Sequence, residues 1–300
     1  MRIAGAWMAL WLCAFSAGAS DVEPLATRPI TLRRGAVELT VNGIYTNWSG
    51  SAFAVSTGSF SGETLALGVD FGVSDRVQFG VATAMPIEPG AAFGSVLASV
   101  AVALDQRSAV RLDAGYENFG VNGGNFLADT HTDRYFSGVG AGVRLPIGPM
   151  LSFVSGRTGA VQLGNFMNIG DRGIGTYFGA SFFTEGGADF FVLSGGNNGS
   201  PTNIGINLPA GLLLQPDPHF ALTLQTGYSV DISIPSGGGD AAALHFIPVG
   251  LEAVVSPFAA LDIGSRFFID GYVTRSGGAG GTTPGYLDLR ALLLWIRVRV

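Results

Sequence analysis

Lysine is missing from this 300-residue chain: all 16 basic residues are arginine. A soluble surface normally mixes Lys with Glu and Asp, so that about a quarter of all residues are charged. Here only 13% are charged and the mean hydropathy is +0.39, which makes water the wrong solvent for most of the exterior. Cysteine is confined to Cys13, inside an N-terminal apolar run, and this excludes disulfide, thiol-metal and thiol-nucleophile chemistry from everything that follows. Basic clusters are lacking too, and a net charge of −6 argues against a nucleic-acid partner. No stretch beyond the first run reaches the roughly 18 consecutive apolar residues of a spanning helix.

The first run has a reading of its own. Arg2, the apolar residues Ile3 to Phe15 and the small residues Ala17-Gly18-Ala19 have the three parts of a secretory signal, expected over residues 1–19 and removed by cleavage. Residues 20–34 are then a periplasmic N-terminal segment, and 35–300 a single domain.

What fills that domain is alternation. In Leu65 to Met85, Leu67, Val69, Phe71, Val73, Val77, Phe79 and Val81 share one parity, while Gly68, Asp70, Gly72, Gln78 and Gly80 take the other. This is a hairpin about Ser74-Asp75-Arg76. The same pattern returns from Val37, from Val96, from Val110, up to Leu145, and in four segments from Ile204 to Tyr272 before a closing one that ends at Val300. Short connections (Ser74-Asp75, Asp105 to Arg107, Ile147 to Pro149, Gln215 to His219, Ser256 to Ala260) take turns with long ones rich in Gly, Asn, Ser and Thr. A secreted chain with hydrophobic strands, no hydrophobic helix, and short turns alternating with long loops is expected to be an all-β, transmembrane, antiparallel up-and-down barrel with both termini in the periplasm. A hairpin about Glu185-Gly186-Gly187 brings the count to fourteen strands; if Leu151 to Gly196 is instead a folded insertion, the count is twelve. Fourteen is favoured.

The minor face decides which solvent the apolar face meets. In a soluble sheet it would carry Lys, Glu and Thr, whereas here it is mostly Gly, Ala, Ser and Asn. That suits a lumen. An Arg facing lipid at mid-bilayer costs about 2–4 kcal/mol, so charges within strands must share the lumen parity. Glu38, Asp70, Arg111, Asp113, Arg144, Glu252, Asp262 and Arg266 do so, and are the candidate lining and selectivity residues. In the final strand Leu292, Leu294, Ile296, Val298 and Val300 face lipid, and Trp295, Arg297 and Arg299 the lumen. Asp288 and Arg290 have the lipid parity, so they lie beyond the hydrocarbon band or a bulge intervenes. Tyr45, Trp48, Tyr116, Phe119, Tyr135, Tyr228 and Tyr272 fall near the long-loop ends of strands, as in an interfacial girdle, the alternative being an aromatic cluster that lines a mouth for an apolar solute.

These features resemble those of bacterial outer-membrane β-barrel proteins, and "ALLLWIRVRV" resembles their C-terminal strand, departing from it in ending on Val300 rather than an aromatic residue. The stretches "GVSDRVQFGV", "LPAGLLLQPDPHFALTLQTGY" and "LDLRALLLWIRVRV" resemble, more loosely, the channel-like transporter barrels of phenol-degradation loci. The resemblance implies an outer-membrane location, lipid and the barrel-assembly machinery as partners, and passive transport of a small-molecule solute. A non-conducting structural or adhesion barrel is the alternative, and a barrel hydrolase a third. For the last, Asp129, His131 and Asp133 in "ADTHTDR" have the residue types of an acid–base or oxygen-ligand cluster, but their spacing places neither nucleophile nor orienting group. They are read as a polar loop. No catalysis, cofactor or metal is expected, and the pattern specifies no oligomeric state.

Overall fold

Segments that alternate at period two and stop at turn residues become strands whose two faces meet different solvents. The structure, a computed structural model, describes residues 22–50, 58–88, 95–119, 132–155, 157–158, 161–162, 190–195, 202–234, 238–277, 283–285 and 288–300. Its strands are β1 (Val37–Gly50), β2 (Gly58–Ser74), β3 (Val77–Glu88), β4 (Ser95–Ala103), β5 (Ser108–Phe119), β6 (Thr132–Pro146), β7 (Leu151–Ser155), β8 (Arg157–Thr158), β9 (Val161–Gln162), β10 (Phe190–Gly195), β11 (Thr202–Asp217), β12 (Phe220–Ile234), β13 (Ala242–Phe258), β14 (Leu261–Gly277), β15 (Thr283–Gly285) and β16 (Asp288–Arg299). β8 pairs only with β9, and β15 lies against β14. All the others form one antiparallel sheet that closes on itself where β1 pairs with β16.

The closed barrel has twelve strand positions, the smaller of the two counts that the alternation allows. β7 pairs with the short-turn end of β6 (Val143 to Pro146) and of β11, whereas β10 pairs with the other end of both. Two short pieces therefore share one position between β6 and β11, which removes the extra hairpin that a count of fourteen requires. Glu185-Gly186-Gly187 lie outside the described residues, as do residues 1–21. The short connections prove tighter than the sequence suggests: β11 runs to Asp217 and β13 to Phe258. In the β4–β5 turn, Arg107 N–H donates to Asp105 at 2.7 Å and the Ser108 hydroxyl at 2.9 Å. Those two bonds hold the Asp105 carboxyl below its usual range.

Burial follows parity around the wall. Leu67, Val69, Phe71, Leu112, Leu224, Leu251, Phe267 and Leu294 are exposed on the outside, while Ala66, Asp70, Gln78, Ser99, Thr223, Leu293 and Trp295 are buried inside. An apolar band this continuous is stable only against hydrocarbon. On that band's long-loop side Tyr45, Tyr135 and Tyr228 are exposed, and the Tyr116 and Tyr135 rings pack 5.7 Å apart. The β1–β16 register continues unbroken from Glu38↔Arg299 to Ser49↔Asp288, so no bulge repositions Asp288 or Arg290, and they belong beyond the band.

Residues 22–36 precede the wall and fold into its short-turn mouth. Leu25 packs with Val154, Leu213, Ala221, Val254 and Trp295, inward residues of five different strands. Ile30 packs with Ala103 and Ala109 across the barrel. The segment's backbone is tied to lumen side chains: Ala26 N–H donates to Gln215 Oε1 at 2.7 Å and Leu32 N–H to Gln78 Oε1 at 3.0 Å. Gly72 shows how closely it lies against β2, since a Cβ there would sit 2.0 Å from the Arg33 carbonyl oxygen. Only glycine admits backbone at that distance.

Candidate functional site: the barrel lumen

Because neighbouring strands place equal parity on one face, charges far apart in the chain meet inside. Glu38 on β1 stands opposite Arg299 on β16, and Asp262 on β14 opposite Arg297. Arg297 Nε lies 3.0 Å from Glu38 Oε1, and Arg299 Nε lies 2.8 Å from Glu38 Oε2. Arg299 also bonds Asp262, whose other oxygen accepts from Ser256 Oγ at 2.6 Å. The chain of pairs ends on the inserted segment, where Arg28 Nη1 donates to Asp262 Oδ2 at 2.8 Å. Burial lowers the proton affinity of Arg28 and the Asp262 carboxylate opposes the shift. A guanidinium so placed stays charged near neutrality. Arg144 on β6 donates to the Arg28 carbonyl, so both the side chain and the backbone of Arg28 are held by the wall.

A second group centres on Glu252. It stands opposite Arg266 in the β13–β14 register and accepts from Trp295 Nε1 and Gln225 Nε2, each at 3.2 Å. The Arg297 guanidinium lies 5.0 Å from the Trp295 ring centre. Gly264 makes room for that indole: a Cβ there would come within 2.1 Å of the ring. Gly264→Ala must therefore displace Trp295 and disturb the bond to Glu252, at about 1–3 kcal/mol by the usual cost of overpacking. The expected result is a lower temperature of conversion from the folded to the unfolded band on a gel. Elsewhere, Arg111 Nε pairs with Asp113 Oδ2 on β5 at 2.8 Å, and Gln78 Nε2 donates to Asp70 Oδ1 at 2.8 Å.

All eight candidate lining residues are buried with inward parity, but the structure does not bring them into one site. Glu38 and Asp262 join the network of Arg28, Arg297 and Arg299. Glu252 faces Arg266, while Asp70 and the Arg111–Asp113 pair lie on the β2–β5 side. Arg28, Gln215 and Gln225 are added by the structure, and Gln78 is buried on the inward face that its parity assigned. Parity marked Arg297 and Arg299 as inward, yet nothing local marks Arg28, which lies in no strand. Of the loop cluster, Asp129 and His131 lie outside the described residues, and Asp133 stands near the start of β6 opposite Asn118. His219 sits in the short β12 turn with Nδ1 2.8 Å from the Ser256 carbonyl, and His245 meets the Tyr228 hydroxyl at 2.6 Å on the outer, long-loop side. These two imidazoles are at opposite ends of the barrel. Among the described residues no group of three or more His, Cys, Asp and Glu is arranged to hold a metal.

No family model matches the chain, and no curated protein matches it significantly. Among solved structures it is similar to an outer membrane channel from Pseudomonas putida F1, with a TM-score of 0.55 and 12% identity over 93% of this chain and 100% of that one. The NanC porin gives a TM-score of 0.43 and 10% identity over 87% and 98% of the two chains. The β domain of the Bordetella autotransporter BrkA gives 0.43 and 12% over 88% and 99%. The first likeness is one of fold: a closed, antiparallel barrel of membrane-spanning strands.

Proposed function

We propose that this chain is an outer-membrane channel that passes small molecules through a narrow lumen, with its short turns and both termini on the periplasmic side. The observation that carries the reading is the division of faces: a continuous apolar wall outside, and inside it paired Arg, Asp and Glu beside an open cavity of about 420 Å³. A barrel built only as a scaffold has no need of an interior that keeps both charge and space. The fold likeness to a channel points the same way. Lipid contacts the wall, and the C-terminal strand is the segment offered to the assembly machinery. Of the eight candidate lining charges Glu38 and Arg111 border that cavity, while Asp70, Asp113, Arg144, Glu252, Asp262 and Arg266 would act on a solute through the field of the wall.

Residues 22–36 favour a second reading, a non-conducting structural barrel, because they fill the short-turn mouth. Conductance across planar bilayers separates the two. The parent protein is expected to give small, infrequent channel events. Removing residues 22–33 should raise the unit conductance severalfold, and Arg28→Ala, which releases one tie to Asp262, should raise the fraction of time spent open. If neither variant conducts while both still migrate as heat-modifiable barrels, the channel reading fails.

A further inference from the structure

The 420 Å³ cavity lies between the inserted segment and the β3–β6 wall, reaching Arg299 on the far side. Its charged lining is Arg28, Arg33, Arg111 and Arg299 against Glu23 and Glu38. Formal charge balances in this set, since Asp262 stands behind both Arg28 and Arg299 and Asp113 behind Arg111. The exposed surface does not balance. Side-chain exposure is 10% for Arg28 and 15% for Arg299 against 0% for their shared partner Asp262, and 5% for Arg111 against 1% for Asp113. The order reverses between Arg297 and Glu38, at 2% and 7%, and Arg297 does not line the cavity. In the pairs that Asp262 makes with Arg28 and Arg299 the carboxylate is withdrawn into the wall and the arginine side chain keeps the exposed edge, whereas both Nη atoms of Arg111 are sealed from the space.

We propose that this cavity is a binding site for a small organic anion. The inference rests on reading the lumen as a solute path, and it adds the class of solute. A guanidinium edge matches a carboxylate or sulfonate by parallel N–H donation, and low-dielectric walls strengthen that attraction over its value in water. The cations keep their charge because their own partners lie behind them, so an anion entering the space is not competing with an empty, uncompensated pocket. Beside the charges, Ile30, Ala101, Ala109 and Gly142 leave an uncharged surface for a short apolar body. The volume falls within the range of about 300–1,000 Å³ typical of small-ligand pockets.

The test uses three probes of one shape and fixed charge: butanesulfonate, butanesulfonamide and trimethylbutylammonium, titrated calorimetrically into the refolded full chain in an uncharged detergent. Butanesulfonate should bind at least tenfold more tightly than either of the others. Arg28→Gln should weaken that binding at least tenfold. Ala109→Phe, which fills the space without altering charge, should abolish it, with heat-modifiable migration reporting that each variant is folded. Equal binding of cation and anion, or unchanged sulfonate binding in both variants, would overturn the proposal. Conduction without sulfonate binding removes the anion site and leaves the channel, whereas sulfonate binding without conduction in any variant does the reverse.

Discussion

Asp262→Ala should destabilise the barrel by about 3–5 kcal/mol, the usual cost of removing one partner from a buried ion pair. Asp262 is fully buried and accepts from three sources: Arg28 on the inserted segment, Arg299 on the last strand and Ser256 on β13. Its loss leaves two guanidiniums in a low-dielectric interior with Glu38 alone to balance Arg297 and Arg299. Asp262→Asn keeps an acceptor for Ser256 but no charge, so it should fall between. Arg28→Ala should cost less than Asp262→Ala, because Asp262 then retains Arg299 and Ser256. The midpoint of urea unfolding, read from the ratio of folded to unfolded bands, checks the order. Equal midpoints for Asp262→Ala and the parent would show that the interior is wet enough to screen the cluster, and the energetic account given above would then be wrong.

Leu112→Arg should block membrane assembly where Ala82→Arg permits it. Leu112 is 63% exposed at the centre of the outer band on β5, with Val110 and Ala114 on either side. Arginine at that depth facing lipid costs about 2–4 kcal/mol, and during insertion the same penalty opposes every route across the bilayer. Ala82 has inward parity on β3, and Gly68 opposite it leaves the local lumen uncrowded, so a guanidinium there meets polar surroundings. The yield of heat-modifiable protein in the membrane fraction separates them. Similar yields would mean that the two faces have been assigned the wrong way round.

Much of the wall was legible because the physical rule behind it is local. Two residues along a strand return to the same solvent, so Val69 and Phe71 outside and Asp70 inside could be placed without knowing any partner strand. Strand number was harder for a reason of the opposite kind. β7 and β10 are five and six residues long, and whether they continue one line or start two depends on β6 and β11, which flank both. Periodicity within a fragment carries no such information. Arg28 was invisible for a related reason: the inserted segment has no repeating pattern, and its position is set by Asp262, 234 residues further on. Lumen residues could thus be assigned to a face from sequence, while their grouping into separate networks required the register.

The seam between β1 and β16 has a consequence for the order of events in assembly. Val37 and Val300 exchange both backbone hydrogen bonds, at 2.8 and 2.9 Å, at one end of a register that runs on to Ser49↔Asp288, so the wall closes only when β16 meets β1. Until then each edge strand is an open template for other chains. The two edges carry opposite charges on one parity, Glu38 on the first and Arg297 with Arg299 on the last. A slip of one residue would turn both arginines toward lipid and leave Glu38 unmatched. The register of this seam is therefore set by charge as well as by parity, and a sheet edge of another copy joined out of register meets the same penalty.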